Sequence, residues 1–290
     1  MSAISRMTII DTHVHLWHQD RERYPNKLWV QGALPPHDGT AERLVDLMDR
    51  AGVTAALNVQ VPWYGEDNRY HHEVTAKFPN RFALLGVIDP ALRDSSEKLA
   101  RMVRLEGAQG VRIHFNEPDR REQVVEGKFD RVLTRAGELG VPVQFLARMP
   151  DMYAIRCAAE AFPRTSFIVD HLGHPDLTEG PPYPSAREFF DLGALPNVYV
   201  KVSLLCDHSR KRYPYPDVQD YVRRTLDSFG AARLMWGSNF PLIPEVRTDE
   251  PVDYRRSLNL VREEWPWLGE ADKEWILGKT ALSLWSFPPD

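Results

Sequence analysis

Cysteine is scarce: the 290 residues carry only Cys157 and Cys206. Two thiols this far apart read as reduced residues in a cytoplasmic protein rather than as a disulfide framework. Long apolar runs are missing too. No stretch approaches the roughly 20 residues of a membrane span, and the first residues lack a basic-then-apolar export pattern. An excess of positive charge is also lacking. The 36 Lys and Arg are outnumbered by 41 Asp and Glu, for a net charge of -5, which argues against nucleic acid as a partner. No Gly-x-Gly-x-x-Gly follows the first apolar run, so a dinucleotide-binding sheet loses its signature. Low-complexity segments and close internal repeats are absent as well. What remains is 43% hydrophobic and 27% charged, an ordinary globular composition with enough apolar residues for a sizeable core.

The chain is organised around Met7 to Trp17, which reads MTIIDTHVHLW. Met7 to Ile10 is short, apolar and partly β-branched, as a buried strand is. It runs into Asp11-Thr12-His13-Val14-His15. Residues two apart on a strand share a side, so His13 and His15 project together from one strand end. Paired imidazoles are a costly way to fill a core and an ordinary way to begin a metal site. The plainer reading of an isolated His-x-His is one packed histidine and one exposed.

Strand and helix then alternate. Further strands are expected at 53–61, 82–88, 110–115, 141–147, 166–170, 198–202 and 233–237. Helices are expected at 40–50, 71–78, 95–105, 129–139, 152–161, 184–192 and 218–229. Eight strands interleaved with helices are the pattern of an α/β fold of the (β/α)8 TIM-barrel type, with residues 1–290 as one domain. A long first βα loop, 16–39, holds Trp17, Tyr24 and Trp29 and reads as an ordered lid.

Chemistry in such a barrel sits where strands end. Those ends carry His13 and His15, then Asp89, Arg112 and His114, Gln144 and Arg148, Asp170, His171 and His174, Lys201 and Ser203, and finally Ser238 and Asn239. Arg112 and Arg148 could grip a substrate carboxylate bidentately or pair with an acid on the rim. Lys201 reads equally as a substrate contact or a paired structural lysine. His114 lies two residues beyond Arg112 and so faces the same side. His174, close to His171, reads as functional. Trp17 and Tyr24 could cap a ring-shaped substrate, or simply pack the long loop. Asp11 either orients His13 or fixes the strand end. His37, His71 and His72 read as solvated. So does the basic run His208 to Arg212, although on this side of the barrel it could attract an anion.

The stretches IIDTHVHLW, SFIVDHLGHP, VYVKVS, RLMWGSNFP and ILGKTALSLW run in order from Ile9 to about Trp285. Together they resemble the amidohydrolase superfamily, and within it the lactonase-like branch of 2-pyrone-4,6-dicarboxylate and sugar-lactone hydrolases. The resemblance implies water attack on a small cyclic ester or related carboxylic acid whose carbonyl is polarised by histidines. It implies His13 and His15 as metal ligands, and His171 as a third ligand or a polarising group. One divalent ion is implied at most, zinc first among candidates, and some members of the branch work without metal. Two metals bridged by a carboxylated lysine are not implied, since Arg112, His114 and Gln144 occupy strands four and five. The implied partner is a small anionic substrate, with no nucleic acid and no membrane; a homo-oligomer stays open. Aromatic-acid decarboxylases share much of the layout, so non-oxidative decarboxylation stays open too.

Asn239 departs from the pattern. The family's Gly-Ser-Asp-Trp/Phe-Pro motif carries aspartate there, normally a ligand and the base for water. A carboxamide is neutral and a very poor base, so hydrolysis and metal binding should weaken together. Asn239 then orients water or substrate by hydrogen bonding, with Asp170, His114 or His174 as base, or it marks a disabled site or a barrel turned to non-hydrolytic chemistry.

Overall fold

The structure, a computed structural model, describes residues 7–26, 39–115, 119–241 and 254–287. Trp29 and His37 lie outside the described residues, as does half of the long first loop, residues 27–38. Eight strands form one parallel sheet in sequence order: β1 (Ile10–Val14), β2 (Ala55–Val59), β3 (Phe82–Val87), β4 (Ala108–His114), β5 (Val143–Leu146), β6 (Phe167–Val169), β7 (Val198–Val202) and β8 (Leu234–Trp236). Beyond β8 the chain returns to β1. Val14 bridges Phe240, and the His15 amide donates to the Phe240 carbonyl at 2.7 Å. The sheet is thereby a nearly closed barrel with helices outside, as the alternation predicts.

Strands covered on both faces read as continuous apolar runs, which is why all eight were visible in the sequence. The barrel interior is packed by Ile10, Leu57, Val59, Leu85, Ile168 and Met235, with Ala281 and Trp285 of the C-terminal segment against them. A larger cluster fills the space between sheet and helices. Helix 41–51 shows the local logic: Leu44 and Met48 face the sheet, and Gly52 ends it at φ 79, a left-handed conformation in which glycine carries no Cβ penalty.

Several boundaries move. β1 starts at Ile10 and runs through His13, because its ladder begins at the Ile10–Ala55 pair. The expected helix at 184–192 is broken into short turns at 184–186, 187–191 and 192–194. Helical segments at 254–264 and 270–284 follow β8 and were not expected. His71, read as solvated, is buried: helix 69–77 turns Tyr70, His71 and Val74 inward, and the imidazole Nδ1 meets Asn58 Nδ2 at 3.2 Å. His72 is exposed as expected.

The β1 register against β2 shifts between Asp11 and Val14, the stretch that carries His13. Asp11 Oδ1 then accepts from the amides of His13 (3.1 Å) and Ser238 (2.9 Å), so this buried carboxylate ties β1 to the loop after β8. Burial pushes the Asp11 carboxyl up to about 6.

Gly237 lets those segments approach. A Cβ there would stand 2.6 Å from His13 Cβ and 3.1 Å from its nitrogen. Gly237→Ala is therefore expected to cost about 1–3 kcal/mol in a urea melt, by overpacking. It should lower turnover by roughly 10²-fold by displacing His13, since small misplacements of reacting groups are that costly.

Candidate active site

His13 and His15 meet at the mouth of the barrel, with their Nε2 atoms 3.2 Å apart. The Val59 carbonyl accepts the His15 Nδ1 proton at 2.8 Å, which leaves the lone pair on His15 Nε2. His171 follows β6 in a left-handed conformation (φ 52), as do Leu172 (φ 56) and His174 (φ 54). Such conformations cluster at functional sites. They bring the His171 ring to 4.5 Å from that of His13, while its Nδ1 lies 2.8 Å from Ser203 Oγ at the end of β7.

Asp170 completes the group. Its Oδ1 is 3.4 Å from His13 Nδ1 and has no hydrogen-bond partner among the described residues. His13, Asp170 and His171 each offer a ligand atom, all within 4.8 Å of one another and all buried. Two imidazoles and a carboxylate with a free oxygen fit one divalent ion. Asp170, read from the sequence only as a possible base, thus joins His13 and His171 in the tightest donor set. His15 stands immediately beside it.

Two cations underlie this group. Arg112 donates to Asp170 Oδ2 through Nε at 3.0 Å and Nη2 at 2.9 Å. The two sequence readings of Arg112 therefore resolve toward acid pairing. Burial pushes the Asp170 carboxyl up, but Arg112, then His13 and Lys201, outweigh it and hold it well below the usual carboxylate range. Lys201 donates from Nζ to the Thr12 carbonyl and lies 3.4 Å from His13 Nδ1. Burial, with Arg112 nearby, pushes its ammonium down to about 7, although Asp170 works the other way. On the rim, Arg120 pairs with Asp89 at 2.8 Å and Arg121 with Asp151 at 3.2 Å. Arg148 is exposed, near enough to lower the pKa of both His174 and His208.

His208 was missed. Read as part of a solvated run, it donates from Nε2 to the His171 carbonyl at 3.0 Å, with its ring 5.6 Å from His174. Arg210 and Lys211 beside it are exposed, as the run's composition suggests. The aromatic cap is also corrected. Trp17 is fully buried, edge-on to Trp63 at 5.3 Å. Tyr24 is buried against Tyr70 and donates to Glu73 Oε2 at 2.5 Å. Both rings hold the described part of the first loop in place.

Asn239 sits 5% exposed after β8. Its amide donates to the His13 carbonyl at 2.8 Å, and its φ is 61. Asn and Asp are the non-glycine residues that enter this conformation most readily, so the backbone at 239 accepts either.

Burial is the largest cause that keeps the site histidines neutral at pH 7. It pushes His15 and His114 down to about 3, with Arg112 the next cause, and His174 down to about 4, with Arg148 next. His71 and His208 are likewise held near 3, and His13 and His171 well below their usual value. Seven histidines thus have folded values below the unfolded one. Their contribution is fully present above the unfolded value of about 6.5 and is lost as pH falls from there, toward about 3 for His15, His71, His114 and His208 and about 4 for His174, at up to about 1.4 kcal/mol per pH unit each. Asp11 opposes them, since its raised value favours the fold on the acid side. Tm measured by circular dichroism is expected to fall steadily from pH 7 to 5, with acid unfolding complete by roughly pH 4. A Tm that is flat across pH 7 to 5 would show these imidazoles to be solvated.

A barrel with histidines and a carboxylate gathered at its strand ends defines a class of metal-competent hydrolytic enzymes. The family follows from comparison: residues 10–287 match the model described as Amidohydrolase, and the chain belongs to the amidohydrolase family. L-fucono-1,5-lactonase of Burkholderia ambifaria is 27% identical over 239 residues, covering 80% of this chain and 80% of that protein. 4-Sulfomuconolactone hydrolase of Hydrogenophaga intermedia is 28% identical over 233 residues, covering 80% of this chain and 74% of that protein. An amidohydrolase structure from Burkholderia multivorans with bound Zn shares the fold, with a TM-score of 0.80 at 23% identity over 97% of this chain and 100% of that one.

Proposed function

We propose that the chain hydrolyses a small lactone, with all 290 residues serving one barrel domain. The observation that carries this is the buried His13–Asp170–His171 group at the strand ends of an amidohydrolase-family chain. The two relatives named for lactone hydrolysis support the substrate class. That donor set, and the Zn of the Burkholderia multivorans structure, support zinc as the ion. His13, Asp170 and His171 would hold it, and it would supply Lewis-acid polarisation of the ester carbonyl.

The remaining steps belong to the side chains. Asn239, tied to His13 through its amide, orients the attacking water with its carboxamide. His174 is neutral, and its Nε2 has no partner among the described residues. It accepts the water proton as the C–O bond forms, then returns it to the ring alkoxide as the ester bond breaks, leaving a hydroxy acid. His15 fixes the orientation of His13, and His114 lines the substrate side. Arg112 and Lys201 act indirectly, by holding Asp170 and His13. Arg148 on the rim attracts the carboxylate that the substrate carries or that hydrolysis creates. The cytoplasm is supported by Cys157 and Cys206, neither of which is in a disulfide. No helix among the described residues is long and apolar enough to cross a membrane.

The test is a panel of lactones and aromatic acids, with metal content measured on the same samples of this chain and of Asn239→Asp. The native chain is expected to open at least one lactone. Asn239→Asp should hold metal more tightly and turn over roughly 10–10²-fold faster, because a carboxylate restores the base. If neither form opens any lactone, or if aromatic acids release CO2 instead, the proposal fails.

A further inference from the structure

The mechanism gives Gln144 no role and leaves open what His114 meets on the substrate side. Gln144 lies within β5, 0% exposed, and neither its Oε1 nor its Nε2 has a hydrogen-bond partner among the described residues. His114 ends β4, and its buried Nε2 is unpartnered as well. The β4–β5 register sets Gln144 beside Arg112, and Leu146 beside His114. Arg112 points into the barrel, since it reaches Asp170. Side-by-side residues of paired strands share a face, and so do residues two apart on one strand. Gln144 and His114 therefore face the interior as diagonal neighbours, on strands that lead to β6 and its Asp170.

Buried amides and imidazoles without partners are rare and costly, so each implies a partner group. The chemistry of the pair narrows what that group is. A carboxamide offers an acceptor and donors on separate atoms, and a neutral imidazole offers one of each. A hydroxyl both donates and accepts, so it can satisfy Gln144 and His114 together. A carboxylate only accepts and would leave Gln144 Oε1 unpaired. A methylene would leave every atom unpaired. We infer that Gln144 and His114 form a specificity pair that reads a ring hydroxyl of the substrate, so that the preferred lactone is a hydroxylated one. This rests on the lactonase reading and names the substrate class within it.

The experiment compares kcat/KM for two six-membered lactones: an aldono-1,5-lactone, whose ring bears hydroxyls, and δ-valerolactone, whose ring bears none. It is run on the native chain, Gln144→Met and His114→Phe. Sites that bond a substrate hydroxyl reject the analogue lacking it by roughly 10⁴-fold. The native chain is expected to prefer the hydroxylated ring by about 10³-fold or more, and the preference should collapse to within about 10-fold in either variant. Gln144→Met is close to isosteric and removes an unpartnered amide, so its Tm should not fall. A preference that survives in both variants overturns the inference, as expected if a buried water occupies the gap.

Calorimetry with a methyl pyranoside, which carries ring hydroxyls but no ester, separates the two readings. If the native chain opens neither lactone yet binds the pyranoside, and Gln144→Met does not, the lactonase reading falls and hydroxyl recognition stands. If the native chain opens lactones with no preference for the hydroxylated ring, the pair fails while lactone hydrolysis stands. If the native chain neither opens a lactone nor binds the pyranoside, both readings fail.

Discussion

Arg112→Met is expected to destabilise the protein by about 3–5 kcal/mol at neutral pH, because it strands a buried carboxylate. Asp170 is fully buried, and Arg112 contributes both charge-assisted hydrogen bonds to its Oδ2. For a chain of this size the loss corresponds to a Tm drop of roughly 10 °C. The deficit should depend on pH in a defined direction. In the native protein the Asp170 value is depressed, so its contribution is present above the unfolded value of about 3.8 and is lost as pH falls through the lower folded value. Without Arg112, burial becomes the larger influence and the value rises, so protonation then favours the fold. The gap between native and variant should narrow as pH is lowered. Asp170→Asn added to Arg112→Met should recover much of the loss, since no buried charge is then left unpaired. Urea melts of the two variants at pH 7 and pH 5 measure all of this. A loss under about 1 kcal/mol, constant with pH, would mean that water reaches Asp170.

The same pair shows what the sequence could and could not reveal. That Arg112 and Asp170 stand at strand ends was readable, because buried parallel strands are apolar runs and barrel chemistry sits where they stop. That they face one another was not, since 58 residues separate them and either arginine on the rim had an equal claim on an acid. His13 and His15 are readable as a pair, yet the apolar run alone puts the strand at Met7 to Ile10. The ladder that starts β1 at Ile10, and the register shift beyond Asp11, depend on β2 and on the loop after β8. His208 belongs to a run of basic residues whose composition signals solvent, and its bond to the His171 carbonyl spans 37 residues. The segments after β8, such as YRRSLNLVREE, are too rich in charge to stand out as core helices, yet Tyr254, Leu258, Leu260 and Val261 are buried.

Loss of the histidine group is the largest functional effect expected. His13→Asn and His171→Asn should each lower lactone hydrolysis by about 10³-fold or more, because each removes a donor from the only buried His–Asp–His set among the described residues. The double variant should be little worse than either single one, since groups that act as a unit are strongly non-additive. Metal content should fall in parallel. Asparagine suits position 171 because the backbone there is left-handed at φ 52, and the bond from His208 survives because it ends on the main-chain carbonyl. Folding supplies an independent readout. Each variant removes one imidazole that burial holds neutral, so the acid side of its stability curve should lose about one proton of slope, up to about 1.4 kcal/mol per pH unit. An inactive variant with that shallower slope has lost chemistry while keeping its fold. A double variant that retained even a tenth of native hydrolysis would place the reacting carbonyl elsewhere in the barrel.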